Sequence, residues 1–318
     1  MLIIDDDIAR KLLDMSAAIE PIRRSCLRLD DAPECRFRIV FDDPGSDARG
    51  LLLGGYLADQ GAVCMKLVGD FAEGSGGFVI NYDTRSASIC CLYTGNYLTD
   101  FRTGAVSGVA TDALARPDST AMAIIGTGRQ SITQFAAMCA VRNICTVAVW
   151  NRTPAHAERW IADRLRECSG SHLQFVLAPT PKAACKDADI VVTSTAADAP
   201  VLEDIAWLAP GTHVNAVGAG SPVQRELGRS VLREAQVVAL DSLVDGVQVG
   251  DFGPMAADTE DRAWPLVSLA DLLSGRRSGR VSASDITVFK SVGHPANDAA
   301  VLALLADLVM SDRTKEKT

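Results

Sequence analysis

Basic residues are in deficit in this 318-residue chain: 31 Lys and Arg stand against 40 Asp and Glu, a formal net charge of −9. No basic tract interrupts that balance, which argues against nucleic acid or an anionic membrane surface as a partner. No apolar run approaches the roughly 18 residues of a membrane span. The opening stretch MLIIDDDIARKLL lacks a signal-peptide pattern. Nine cysteines are scattered without a C-x-x-C pair. An odd number of thiols, several in apolar segments, points to a reduced, cytoplasmic protein. His156, His172, His213 and His294 do not stand beside cysteines at ligand spacing, so no metal is expected. No internal repeat is visible. What the chain does have is apolar content, 48% of residues, ample for the cores of two domains.

The organising stretch is AMAIIGTGRQSITQ at residues 121–134. An apolar run ends at Ile125, Gly126-Thr127-Gly128 follows at once, and apolar residues then recur at helical spacing through Phe135, Met138 and Val141. Strand, glycine turn and helix together are the context in which a dinucleotide fingerprint carries weight. Gly126 would permit the tight turn and Gly128 the close approach of a pyrophosphate, while the helix N-terminus offers free N–H groups and a partial positive charge. Ser131 replaces the third glycine, a mild departure because a small residue still lets helix and strand pack. The same residues would also serve an ordinary strand-to-helix turn. A second strand, TVAVW at 146–150, ends at Asn151-Arg152-Thr153. An NAD-type site carries a carboxylate near this point for the ribose 2′-hydroxyl. Here three phosphate donors stand instead, and an arginine fork suits a 2′-phosphate, so the residues favour NADP(H) over NAD(H). Thr153 followed by Pro154 also reads as a helix cap and first-turn proline; both readings can hold together.

Residues 7–22 have helical spacing, and strand-like segments follow at 36–41, 50–53, 62–68, 77–82 and 87–93. A helix over 98–115 leads to the polar break Arg116-Pro117-Asp118-Ser119, where a domain boundary is placed. Beyond it, strands are expected at 121–125, 146–150, 173–177, 189–194, 212–217, 236–240 and 286–290, with helices between several of them, notably 155–168. Residues 241–271 are less regular. Such alternation predicts a Rossmann-type doubly wound parallel sheet. A last helix over 295–310 is expected to return to the first domain, and the charged tail 311–318 to fray. The fold class is therefore α/β, with an N-terminal α+β domain over 1–117 completed by 294–318, and a dinucleotide domain over 118–293.

An acidic protein that handles an anion needs local cations. Lys66 lies inside the apolar run Val63-Cys64-Met65-Lys66-Leu67-Val68, and lysine is rarely buried without a partner. Desolvated, it could bind a carboxylate or exchange a proton; on an alternating strand it could equally face solvent. Arg102, in LTDFRT at 98–103, opens a small-residue helix, and its fork matches a carboxylate. An ion pair with Asp100 is the alternative. Arg36 and Arg38 share a strand face and offer a third cation.

With these segments in place, the sequence resembles the ornithine cyclodeaminase/mu-crystallin family. The matching segments run in order through most of the chain: KLV at 66–68, GNYLTDFRT at 95–103, IGTGRQ at 125–130, WNRT at 150–153, HVNAVGA at 213–219, REL at 225–227, Asp241-Ser242, and TVFKSVG at 287–293. The resemblance implies that the N-terminal domain binds substrate and forms a homodimer. It implies that Lys66 and Arg102 hold the substrate carboxylate, with Arg38 as the third cation and Arg36 as its alternative. It further implies cofactor contacts at Gly126, Gly128, Arg129, Gln130, Asn151, Arg152, Thr153, Thr195, Val217, Gly218 and Ser291. The Asn151-Arg152-Thr153 segment is similar to the NADPH-preferring mu-crystallin branch.

Cyclodeaminases of this family carry an aspartate two residues after the NAVG stretch, where it serves as acid/base. That position is Gly220 here, in Gly218-Ala219-Gly220-Ser221-Pro222. Losing a placed acid/base costs about 10²–10⁴-fold. Mu-crystallin-like ketimine reductases also lack the aspartate. Reducing a preformed C=N bond asks less: bind the carboxylate, hold the protonated imine, deliver hydride. The resemblance thus implies an NADPH-dependent reductase of a small cyclic imino acid, such as pyrroline- or piperideine-2-carboxylate. The alternatives are a cyclodeaminase that recycles bound NAD, an amino-acid or opine-type dehydrogenase, and a protein that only holds NADPH and a small ligand. Asp70 and Asp298 stay open as acids standing in for Gly220. His294 either contacts substrate or opens the last helix beside Pro295.

Overall fold

The computed structural model describes residues 1–28, 36–42, 48–71, 74–221, 223–255 and 264–315. Cys35, Pro222, the end of the charged tail at 316–318, and residues 256–263 within the irregular stretch lie outside the described residues. The chain splits into two compact units: Met1–Arg102 with His294–Thr318, and Thr103–Gly293. The division passes through a helix and not through the polar break at 116–119.

The first unit opens with β1 (Leu2–Asp5), α1 (Asp6–Leu12) and α2 (Met15–Leu27). A single helix over 7–22 was the expectation. The chain makes two, because Asp5 accepts from Ile8 N and Asp14 from Ala17 N, each capping a separate helix. Then come β2 (Arg36–Asp42), β3 (Arg49–Leu57), β4 (Ala62–Phe71), β5 (Gly74–Asp83) and β6 (Ser88–Thr94). They form a six-stranded sheet in the order β1-β6-β5-β4-β3-β2, antiparallel except for the parallel β1–β6 pair. The four-residue, acidic-ended β1 carries too short a pattern to be read from sequence. The register sets Arg38, Leu53, Lys66, Val79, Tyr93 and Ile4 side by side across the sheet. One face therefore carries this row, and the last helix, α10 (Pro295–Lys315), packs on the sheet and against α2. The opposite face leaves Ile3, Phe37, Ile39, Tyr56 and Tyr82 exposed. Helix α3 (Tyr97–Leu114) begins under a polar cap: the hydroxyl of buried Tyr93 donates to Asp6, and Asp6 accepts from Tyr97 N at 3.0 Å. That cap fixes the turn that presents Arg102.

The second unit contains the rest of α3 and an eight-stranded, wholly parallel sheet. In chain order its elements are β7 (Ala121–Ile125), α4 (Arg129–Val141), β8 (Thr146–Trp150), α5 (Pro154–Glu167), β9 (Gln174–Leu177), α6 (Pro181–Cys185), β10 (Ile190–Thr193), β11 (His213–Ala216), α7 (Arg229–Glu234), β12 (Val237–Leu240), α8 (Leu243–Gly246), β13 (Leu266–Ser268), α9 (Leu269–Leu273) and β14 (Thr287–Lys290). Strands β10, β11, β12 and β14 are buried at every position, as a sheet covered on both faces requires. The strand order is β13-β12-β14-β11-β10-β7-β8-β9. It reverses between β7 and β10, the switch point at which a doubly wound sheet opens a crevice at its carboxyl ends. Among the described residues no helix is long and apolar enough to cross a membrane, and no His, Cys, Asp and Glu cluster could hold a metal.

Candidate functional site

In the first unit, three charged side chains from three elements meet in the interior. Lys66 of β4 and Asp298 of α10 are about 3 Å apart, with Lys66 Nζ at 3.1 Å from Oδ1 and 3.0 Å from Oδ2. Arg102 Nε of α3 donates to Asp298 Oδ1 at 3.0 Å. Lys66 is 1% exposed, Arg102 5% and Asp298 0%. Lys66 therefore does not face solvent, and Arg102 pairs with Asp298. Two cations share one carboxylate, which leaves this dry cluster with one positive charge in excess. Arg102 Nη1 and Asn297 Nδ2 are buried donors without a hydrogen-bond partner, and Asn81 Oδ1 is a buried acceptor without one. The orphaned Arg102 donor beside an excess of positive charge calls for an anion. Burial and the neighbouring Arg102 lower the Lys66 ammonium from 10.5 to about 8, while Asp298 pulls the other way. Proton exchange near neutral pH is thus within its reach. Burial and the Asp298 charge push the Cys64 thiol on the same strand well up, so it stays a neutral neighbour.

The register separates the two candidate third cations. Arg38 lies in the row of Lys66, with Leu53 between them, whereas Arg36 lies in the row of Cys64. The two candidate acids separate as cleanly. Asp70 sits exposed near the end of β4, bonded by Ser75, while Asp298 touches both Lys66 and Arg102. His294 accepts from Ala296 N through Nδ1 at 3.2 Å, just before the start of α10.

In the second unit, the stretch 125–130 forms the turn its sequence describes. Gly126 takes φ +95°, and a Cβ there would lie 2.6 Å from Thr195 Cγ2 and 2.8 Å from Ser194 O. Only glycine fits both the conformation and the space. Gly128 caps α4 without a side-chain bond, and a Cβ there would meet nothing within 4 Å. An uncapped N-terminus of a 13-residue helix beside open space fits the pyrophosphate of a dinucleotide. Ser131, in the third glycine's place, is fully buried and donates to Gly128 O at 2.6 Å. Arg129 and Gln130 follow in the first turn of α4, with Arg129 exposed. Asn151 Nδ2 donates to Thr127 Oγ1 at 2.8 Å, and its Oδ1 accepts from Thr153 N at 2.9 Å, so the loop after β8 is tied to the glycine turn. Arg152 and Thr153 are exposed. Pro154 starts α5 as expected, but the Thr153 hydroxyl makes no capping bond.

The remaining cofactor candidates lie just beyond the carboxyl ends of β10, β11 and β14. Val217 is buried and its N–H bonds to Thr193 O at 3.0 Å. Thr195 and Gly218 share one anchor, the buried Glu226, which accepts from both backbone N–H groups. The Ser291 hydroxyl donates to Asp241 at 2.6 Å, which leaves it only an acceptor role toward a ligand. Gly220 donates its N–H to Gln224 Oε1 at 3.3 Å. The positions sequence reasoning left without a role are Asn81, Asn297, Glu226, Asp251 and Lys290. A signal for two of them was present: Glu226 in REL and Lys290 in TVFKSVG are charged residues inside matching segments.

Comparison with known proteins gives consistent results. The sequence profile of the ornithine cyclodeaminase/mu-crystallin family matches residues 73–313. The Δ1-pyrroline-2-carboxylate reductase of Bacillus cereus is 35% identical over 243 residues, 76% of this chain and 73% of that protein. Ketimine reductase mu-crystallin of Mus musculus is 31% identical over 278 residues, 83% of this chain and 82% of its own. The structure of Thermococcus litoralis Δ1-pyrroline-2-carboxylate reductase in complex with NADH and L-proline superposes with a TM-score of 0.88 at 27% identity, covering 98% of both chains.

Proposed function

This chain belongs to the ornithine cyclodeaminase/mu-crystallin family, and from that membership we propose that it is an NADPH-dependent reductase of a small cyclic imino acid, a pyrroline- or piperideine-2-carboxylate. The observation that carries the reading is the buried Lys66–Arg102–Asp298 cluster, with its excess positive charge and the unpartnered Arg102 Nη1. Arg102 and Lys66 bind the substrate carboxylate, with Arg38 as the third cation. A bound nicotinamide dinucleotide supplies the hydride that goes to the imine carbon. Lys66 Nζ holds the proton that goes to the imine nitrogen, and the C=N bond becomes CH–NH. Gly220 offers no side chain to the acid/base work of a cyclodeaminase, which supports the reductase over the lyase. Preference for NADPH rests on exposed Arg152 and Thr153, in a segment, 151–153, that contains no carboxylate. The exposed apolar face bearing Phe37, Ile39 and Tyr56 supports a homodimer through that sheet.

The test is NADPH oxidation with each imine, NADH in parallel, and ammonia release from ornithine with catalytic NAD. Steady NADPH consumption with an imine is the expected result, and Lys66→Ala or Arg102→Ala should remove it while leaving dinucleotide binding intact. Ammonia without net cofactor change would overturn the reductase reading in favour of the lyase. The same preparation should sediment as two copies; a monomer would remove the dimer reading.

A further inference from the structure

Among the fully buried ionisable side chains described in the second unit, Glu226, Asp251 and Lys290 take no part in the proton and hydride movements above and lie together. They come from three places, the REL segment beyond β11, a 3-10 turn at Gly250–Met255, and the last residue of β14. Glu226 Oε1 accepts from Thr195 N at 2.6 Å and from Thr195 Oγ1 at 2.9 Å, and Oε2 accepts from Gly218 N at 2.7 Å. Asp251 Oδ1 accepts from the backbone N–H groups of Glu226 and Leu227, the latter at 2.8 Å. Asp251 Oδ2 lies 3.0 Å from Lys290 Nζ, which also donates to Ala219 O at 2.6 Å. Hydrogen bonds and the Asp251–Lys290 ion pair link the loop after β10, the loop after β11 and the end of β14.

That location has a chemical meaning if the crevice holds a dinucleotide. The two halves of the ligand lie on either side of the strand-order reversal. The phosphate turn belongs to β7 and the ribose-phosphate loop to β8. The nicotinamide half would then fall toward β10, β11 and β14, beyond whose ends these three residues tie the loops. Burial raises the Glu226 pKa and Asp251 adds to that, but Lys290 and the N–H groups of Thr195 and Gly218 act against it; both carboxylates face only donors, the arrangement that favours ionised acids. Two anions against one cation leave a fixed negative charge in a dry interior. A reduced nicotinamide is neutral and an oxidised one is a cation, so such a charge stabilises the oxidised form more than the reduced.

We propose that Glu226, Asp251 and Lys290 are positioning residues that hold the backbone of Thr195 and Gly218 under the nicotinamide and, by their net negative charge, bias the site toward the oxidised dinucleotide. The bias assists departure of the hydride. The proposal rests on the dinucleotide reading above and adds an electrostatic task to it.

The test measures dissociation constants of NADP+ and NADPH by fluorescence titration on the intact protein. The variants are Glu226→Gln, Glu226→Asp and Asp251→Asn, with folding checked by circular dichroism. In Glu226→Gln the ratio of the oxidised to the reduced dissociation constant should rise about tenfold. Asp251→Asn should move it in the same direction. Glu226→Asp keeps the charge and should leave the ratio near wild type even where both affinities fall. Proportional weakening of both forms in folded Glu226→Gln, the signature of a purely structural role, would overturn the proposal. Should that variant not fold, Asp251→Asn decides by the same criterion. A wild-type protein that binds neither nucleotide would bring down the dinucleotide reading, and the proposal with it. Failure of the proposal alone is a protein that binds both with an insensitive ratio.

Discussion

Under the proposed function, the two units prepare for an anion in opposite ways. The first gathers whole charges in its interior: Lys66 and Arg102 are pinned on Asp298, and none of the three is more than 5% exposed. The second relies on backbone, with an uncapped helix N-terminus, open space at Gly128, and Arg129, Arg152 and Thr153 exposed around the turn. A carboxylate is small and carries one charge, so a dry, pre-paired site can orient it strongly. A dinucleotide is long and heavily charged. Many N–H groups at a wet rim serve it without the cost of desolvating several cations. The difference teaches where each site should be fragile: the first to loss of a partner charge, the second to a change of backbone shape.

Breaking the first site should have the largest effect. Asp298→Asn leaves two buried cations without their counter-ion and should destabilise the fold by about 3–5 kcal/mol, read as a loss in denaturant midpoint. It also removes the charge that raises the Lys66 pKa. On the proposed reading a protonated Lys66 binds the carboxylate, so wild-type substrate affinity should be present below about pH 8 and be lost as pH rises through it. In Asp298→Asn that alkaline limb should move to lower pH. Stability runs the other way. The folded pKa lies below the unfolded 10.5, so between about pH 8 and 10.5 the unfolded chain holds the extra proton, and the Lys66 contribution to stability rises with pH. An alkaline limb that stays put in folded Asp298→Asn would show that Asp298 does not govern Lys66.

The second site should break through geometry. Gly126→Ala puts a side chain at φ +95° and against Thr195 and Ser194, a cost of about 1–3 kcal/mol from the backbone conformation alone. Gly128→Ala has φ −73° and open space. It should leave stability within about 0.5 kcal/mol yet weaken dinucleotide binding, because the new methyl takes the room the ligand needs. Equal stability losses in the two variants would mean that Gly128 is structural and the space above it serves no ligand.

The same contrast explains what could be read from sequence. The glycine turn is local: strand, turn and helix occupy fourteen consecutive residues, so pattern and chemistry appear together. The cation cluster is not. Lys66, Arg102 and Asp298 stand 232 and 196 residues apart in the two pairs. Lys66 stood out only because a charge interrupts an apolar strand, and nothing local said that the helix bearing Asp298 would answer it. The choice between Arg36 and Arg38 needed the register of β2 on β3 and β4, which depends on pairing that no single segment encodes. The break at Asp14 hid because apolar spacing continues across it, and the cap is one oxygen. Glu226, Asp251 and Lys290 were visible as charges, but their joint task follows only from the strand order that brings three loops together.

The smallest expected effect tests the wet rim itself. Arg152 is exposed, so its contribution to a 2′-phosphate is a solvent-screened contact of about 1.4 kcal/mol, or tenfold in affinity. Arg152→Ser should weaken NADPH by that factor and leave NADH unchanged. Salt should imitate the mutation. Screening shortens from about 10 Å at 0.1 M to about 3 Å at 1 M, so added salt should erode wild-type NADPH affinity and narrow its advantage over NADH. The buried cluster lies out of reach of that screening, and the affinity for a substrate carboxylate should change far less over the same range. An NADPH/NADH ratio unmoved by both Arg152→Ser and salt would remove Arg152 from the 2′-phosphate. Recognition would then fall to Asn151 and Thr153, whose mutual bond at 2.9 Å already shapes the loop, and the difference between the sites would be one of backbone against charge throughout.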